Sequence, residues 1–325
     1  MYNRPEQILA QYDLSINSIS KGRESYHCDT DQGQKVLREY RGSGERAEFL
    51  TEMTDYLWEQ KLLVPTVTRT KEGSPVAADE DETKYILTDL IEGAECDTKK
   101  REDMLEAVRR LAELHNVSER YGGEVPAFVR DAPDSLLQLY EKHNRELRKV
   151  RNYVHDRKKK NDFELLFAGQ YQRFMQKAEE VTALLEKIEP GEQSIGFCHG
   201  DYNQHNVLFT RQGTAIVNFD SFSYQVRVSD LANFLRKMME KNNWNTGLGM
   251  DMISAYDGMR RLSPQELRYL YLSLAYPEKF WKIANRYYNT HKAWLSGRNI
   301  EKLEKVIEQE DNRERFLSML FHFTG

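Results

Sequence analysis

Residues 199–209 read His-Gly-Asp-Tyr-Asn-Gln-His-Asn-Val-Leu-Phe, and twelve residues after Asn206 the chain reads Asn-Phe-Asp at 218–220. Each polar stretch abuts a short apolar run, "VLF" at 207–209 and "AIV" at 215–217. The pattern predicts a small hairpin that carries polar loop residues at its ends. Few folds hold a carboxylate and several carboxamides together on such a hairpin, so this region constrains the chain more than its composition does.

The residue types suit phosphoryl transfer. That chemistry needs a carboxylate to orient the attacking hydroxyl, oxygen ligands for magnesium, a cation near the phosphates and a hinge for the base. Asp201 is positioned as the general base. Asn206, five residues on, offers an amide oxygen to Mg2+. His199 is expected to pack inside the loop and bond its backbone. The bland alternative is a turn that merely contains His, Asp and Asn. The apolar strand that follows argues against it.

At 325 residues and 39% hydrophobic content, the chain is long enough for one large domain or for two lobes, each with its own core. A net charge of −5 does not point to a nucleic-acid partner. Cys28, Cys96 and Cys198 lie far apart without metal-ligand spacing, which suits a reducing compartment. No apolar run approaches a membrane span, and "MYNRPEQILAQYDL" lacks a signal peptide's apolar core. The expectation is a soluble, cytoplasmic protein.

Along the chain, 5–12 suggests a short helix. "LSINSIS", "ESYHCDT" and "QKVLREY" predict three antiparallel strands. Phe49, Leu50, Met53, Tyr56 and Leu57 have helical spacing within 44–60. "VPTVTRT" and "KYILTDL" predict two more strands, joined by an acidic, mobile loop at 71–83. The next helix carries Met104, Leu105, Val108, Leu111 and Leu114 on one face, with Asp97 or Thr98 as its N-cap. Long helices follow at 134–152 and 163–188, with the basic corner "DRKKKN" (156–161) between them. Helices resume after Asp230. In the aromatic stretch 276–294, Phe280, Ile283, Tyr287 and His291 share a helical face. Core packing is favoured over a cage for a cationic amine.

Taken together, these segments resemble the aminoglycoside phosphotransferase and choline kinase superfamily, and within it the CotS family of spore coat proteins from endospore-forming bacteria. The resemblance runs through "YILTDLIEGAECD" (85–97), "CHGDYNQHNVLF" (198–209), "NFDSFSYQVRVSDLANFLRK" (218–237) and the stretch 255–294. It implies an α+β, bilobal protein kinase-like fold: a small antiparallel-sheet N-lobe with one helix over 1–88 and a large, mainly helical C-lobe over 89–325. ATP and Mg2+ are the implied cofactors. Nucleotide, an unknown small-molecule acceptor and other spore coat proteins are the implied partners. Thr88, Asp89 and Leu90 match the hinge whose backbone contacts adenine. Glu48 matches the glutamate that pairs with a lysine on the third strand. Asp230 matches a residue bracing the catalytic loop, or is simply a helix N-cap. Gly200 stands where eukaryotic-type protein kinases carry Arg, which disfavours a protein kinase.

Three positions depart from the family pattern. Arg38 stands at the lysine position, and its planar fork is not equivalent to an ammonium. Lys35, three residues away, points to the opposite face and is a poor substitute. Asn218 replaces the metal-chelating aspartate, leaving Asp220 as either a lone carboxylate ligand or a hydrogen-bonded loop residue. The glycine-rich loop has only Gly22. Two expectations therefore stay open. One is a slow ATP-dependent kinase of a small-molecule hydroxyl, with Asp201 as base and Asn206, Asn218 and Asp220 at the metal. The other is a non-catalytic pseudokinase serving as a structural or scaffold component of the coat.

Overall fold

The computed structural model describes residues 5–22, 25–130, 135–188, 191, 194–289 and 297–324. The chain divides into two compact units, Met1–Asp131 with Gly196–Gln225, and Ala132–Ile195 with Val226–Gly325.

The first unit opens with a short helix, α1 (Pro5–Leu9), and three antiparallel strands, β1 (Ile16–Lys21), β2 (Ser25–Thr30) and β3 (Gly33–Glu39). Gly33, at the β2–β3 turn, has φ +92°, a conformation side-chain-bearing residues rarely adopt. Helix α2 (Gly44–Glu59) follows, capped by the Ser43 side chain on the Arg46 N–H. Strands β4 (Val67–Thr68), β5 (Ala77–Ala78) and β6 (Lys84–Asp89) complete a sheet ordered β1-β2-β3-β6-β4, with β5 also on β6. The segment 71–83 is therefore more than a mobile loop. It holds β5, and the Asp79 carboxylate accepts from the N–H groups of Asp81 and Thr83.

Strand alternation decides what faces where. Leu37 joins Leu87, Cys28 and the α1 residues Ile8 and Leu9 in one buried cluster. Its neighbours Val36 and Arg38 line a cavity on the other face.

Further along are β7 (Ala94–Glu95), helix α3 (Arg101–Glu119) and the short helix α4 (Ala127–Arg130). Met104, Leu105, Val108, Leu111 and Leu114 of α3 are all buried, as the spacing predicts. The cap differs: Lys100 occupies the N-cap position without a side-chain bond. Asp97 instead accepts from the Lys99 N–H and closes a turn before the helix. After β8 (Ile195–Cys198), strands β9 (Val207–Thr210) and β10 (Gly213–Ile216) form the expected hairpin, with β7 added to its edge, and β11 (Ser223–Val226) pairs with β8.

The second unit holds α5 (Leu136–Asp156), α6 (Asp162–Leu185) and α7 to α12: Val228–Lys241, Thr246–Met259, Pro264–Ala275, Glu278–Asn289, Gly297–Glu308 and Glu310–Thr324. Its core stacks Phe280 against Phe167 and Phe174, and Phe163 against Tyr287. Each ring buried there contributes about 2 kcal/mol. Phe280, Ile283 and Tyr287 are thus packing residues, and His291 lies outside the described residues. The basic corner at 156–161 is structural too. Asn161 and Glu164 form a capping box, and Arg157 pairs with the buried Glu164. Asp230 is fully buried in the first turn of α7, two residues inside it, and is not an N-cap.

Candidate functional site

The expected catalytic, nucleotide and metal residues all fall in the first unit, whereas Asp230 falls in the second. The polar loop is built from its own side chains. His199 is fully buried. Its Nδ1 accepts from the Asp201 N–H at 3.3 Å and its Nε2 bonds the Val217 carbonyl at 2.9 Å. One neutral tautomer, protonated at Nε2, satisfies both. The Asp201 carbonyl accepts from the side-chain amides of both Asn203 and Asn206, each at 2.9 Å. Tyr202 is fully buried, and its hydroxyl donates to the Ala107 carbonyl of α3 at 2.7 Å. Asp201 itself is half-buried on this frame.

Asn218 adopts a left-handed backbone, φ 66° and ψ 65°, which Asn and Asp tolerate better than other residues with side chains. Arg46 anchors the segment that follows. Its guanidinium lies 3.8 Å over the Phe222 ring and donates to the Phe222 carbonyl.

Arg38, Asn206, Asn218 and Asp220 come together. Arg38 Nη1 lies 2.6 Å from Asp220 Oδ2 and 3.3 Å from Asn218 Oδ1. Asn218 Nδ2 donates to Asn206 Oδ1 at 3.4 Å. Glu48 does not join them. Arg69 holds its carboxylate through two bonds of 2.9 and 2.5 Å and keeps its pKa below the usual range. The expected Arg38–Glu48 pairing is replaced because each arginine finds another acid. Arg38 meets Asp220, and Arg69 grips Glu48 through both terminal nitrogens.

The cavity beside these residues has a volume of about 570 Å³, within the range of small-molecule sites. Thr88, Asp89, Leu90 and Ile91 line it, as do Glu95 and His205, which pair at 2.5 Å. The N–H of Asp89 donates to Thr66 and that of Leu90 to Gln34. Ile91 is the next residue whose N–H could meet a ligand. The Asp89 side chain takes Lys35 at 2.7 Å and Thr66 Oγ1 at 2.6 Å. Burial works against its charge, but these bonds outweigh it and leave its pKa lowered. Lys35 lies outside the cavity lining, as its strand position predicts.

Asn206, Asn218 and Asp220 bring the right donor atom for a hard cation, oxygen. In this arrangement, however, Asn206 Oδ1, Asn218 Oδ1 and one Asp220 oxygen already accept from protein donors. As folded, the set does not fit a magnesium ion.

Sequence reasoning missed Arg69, Arg46, Thr66 and the Glu95–His205 pair. Only Lys35 carried a signal, since its register places it opposite Asp89 on β6.

An antiparallel sheet with one helix and a polar loop after β8 define a protein kinase-like fold. Solved structures agree. An aminoglycoside phosphotransferase from Alicyclobacillus acidocaldarius superposes with a TM-score of 0.84 at 21% identity, covering 100% of this chain and 97% of that one. Amicoumacin kinase, solved with AMP-PNP and Ca2+, gives 0.64 at 14% identity, covering 96% and 92%. The chain belongs to the family described as "Spore coat putative kinase YutH", which it matches over residues 5–320. It is also 25% identical to spore coat protein S of Bacillus subtilis (strain 168) over 330 residues, 97% of this chain and 93% of that one. Among the described residues, no helix is long and apolar enough to cross a membrane.

Proposed function

We propose that this protein is a nucleotide-binding pseudokinase of the spore coat, with the catalytic loop kept and the phosphate end of its cavity latched. One observation carries the proposal. The strand-three cation, Arg38, is bound to Asp220 at 2.6 Å and to Asn218 at 3.3 Å. A group meant to steady phosphates is instead tied to the segment meant to hold metal. The hinge-lined cavity supports nucleotide binding. The likeness to spore coat protein S supports a place in the coat, where other coat proteins are its partners. Loss of a metal carboxylate costs several kcal/mol of transition-state stabilisation, or orders of magnitude in rate.

A second reading rests on Asp201, which is only half-buried in an intact loop. On that reading the protein is a slow ATP-dependent kinase of a small-molecule hydroxyl. The deciding experiment is calorimetry with adenine nucleotides, paired with an ADP-release assay over a panel of hydroxyl acceptors. Binding without turnover supports the pseudokinase. Acceptor-dependent turnover abolished by Asp201→Ala supports the slow kinase. No binding of any nucleotide leaves only a scaffold.

A further inference from the structure

The geometry points to Arg38 as the resident cation of this site: the cavity takes its nucleotide without a divalent metal, and a monophosphate in preference to a triphosphate. This inference rests on the nucleotide-binding reading above.

A chain of hydrogen bonds leaves each carboxamide one orientation. The Asp201 carbonyl can only accept, so Asn206 must turn its NH2 toward it. That leaves Asn206 Oδ1 facing Asn218, whose NH2 donates to it at 3.4 Å. Asn218 Oδ1 then faces Arg38, which can only donate. Along this run each carboxamide NH2 meets an acceptor, and Arg38 Nη1 meets two, whereas Arg38 Nε is buried without a partner. An aspartate at 218 would break the chain, because its carboxylate would face Asn206 Oδ1 with two acceptors and no proton between them. A cation would be needed there. Asparagine supplies the missing hydrogen and removes the need.

Asp220, the remaining carboxylate, is held by the same guanidinium. A dication brought to it would meet a positive charge already in contact. Arg38 uses Nη1 for both Asp220 and Asn218, and its Nη2 has no hydrogen-bond partner among the described residues. Nη2 is thus available to a phosphate oxygen. Arg38 is also the one Lys or Arg among the described residues lining the cavity. A single guanidinium shared with a carboxylate suits one phosphate. It does not suit three phosphates stripped of their metal.

The test has a nucleotide arm and a metal arm. In the first, AMP and ATP are titrated into the whole protein by calorimetry, in EDTA and in excess Mg2+. AMP affinity should agree within about twofold between the two conditions, and ATP should bind more weakly than AMP in both. Mg2+ tightening ATP by about tenfold or more in the wild type overturns the proposal. In the second, Mn2+ is titrated into the ligand-free protein and followed by electron paramagnetic resonance. The wild type should leave Mn2+ in solution, and Asn218→Asp should bind it. Mn2+ bound by the wild type and released in Asp220→Ala overturns this proposal alone. Failure to bind any nucleotide overturns the reading beneath it. A thermal melt of Asn218→Asp confirms its fold, and the wild-type arms stand without that variant.

Discussion

A Cβ atom on Gly200 would lie 1.8 Å from the carbonyl oxygen of Ser221, and Gly200 itself has φ +80°. The polar loop and the Phe219–Ser221 turn approach backbone to backbone at this point, and only glycine permits it. Gly200→Ala should therefore cost about 2 kcal/mol or more, through strain and overlap together. Urea denaturation measures it. A loss below about 0.5 kcal/mol would mean that the two segments are not in contact.

Arg38 and Asp220 form the ion pair on which the functional proposal stands, with side chains 19% and 39% exposed. A double-mutant cycle of Arg38→Ala and Asp220→Ala should give a coupling of about 1 kcal/mol, toward the upper end for partly exposed pairs. The coupling should fall as salt is raised. Additive single effects would show that the pair is not held in solution.

Tyr202 ties the polar loop to α3 through one buried bond to the Ala107 carbonyl. Tyr202→Phe should destabilise the protein by about 1 kcal/mol, since it removes one buried hydrogen bond without changing the ring, while the Ala107 carbonyl keeps its partner within α3. Amide hydrogen exchange should quicken first around 199–206, where the loop loses its anchor.

In the second unit, His143 stacks on Trp281 with ring centroids 3.3 Å apart. Burial, with Lys142 nearby, lowers its pKa to about 4 from 6.5. A base whose pKa is depressed by folding takes its proton more readily when unfolded. Its contribution is therefore complete above pH 6.5 and is lost as the pH falls toward 4. The expected loss across that window is about 2 kcal/mol, discounted for incomplete burial. His143→Phe keeps the stack and should flatten this limb of the stability profile. Asp89, whose pKa is lowered in the fold, adds a further loss at more acidic pH that this variant leaves in place.

Much of the architecture was legible because it is written in local periods. The alternation in "QKVLREY" places Val36 and Arg38 on one face and Leu37 on the other. The spacing of Met104 through Leu114 marks the buried stripe of α3. Asp201 and Asn206 stood out through the motif His-Gly-Asp-x-x-x-x-Asn, and Asn218 and Asp220 through the resemblance to the family pattern. The exchange of partners was not legible. Which acid Arg38 meets depends on where α2 and the 218–220 segment stand in space, and no sequence period encodes that. Arg69 gave no warning that it would take Glu48. Gly200 was read as the absence of an arginine, whereas its stronger constraint is the Ser221 carbonyl. The α3 cap was misjudged because Asp97 has a competing use in the turn before the helix.

The first unit is made of two stretches separated by residues 132–195, and its strand β7 pairs with β9 from the later stretch. During synthesis, β7 leaves the ribosome on the order of a hundred residues before its partner, a wait of about ten seconds at ordinary elongation rates. Over that interval β6 and its sheet stand without the loop that carries Asp201. Any product released early would present β6 without the loop that carries Asp201. The cavity, which Asn206 and Asn218 help to line, is thus completed late.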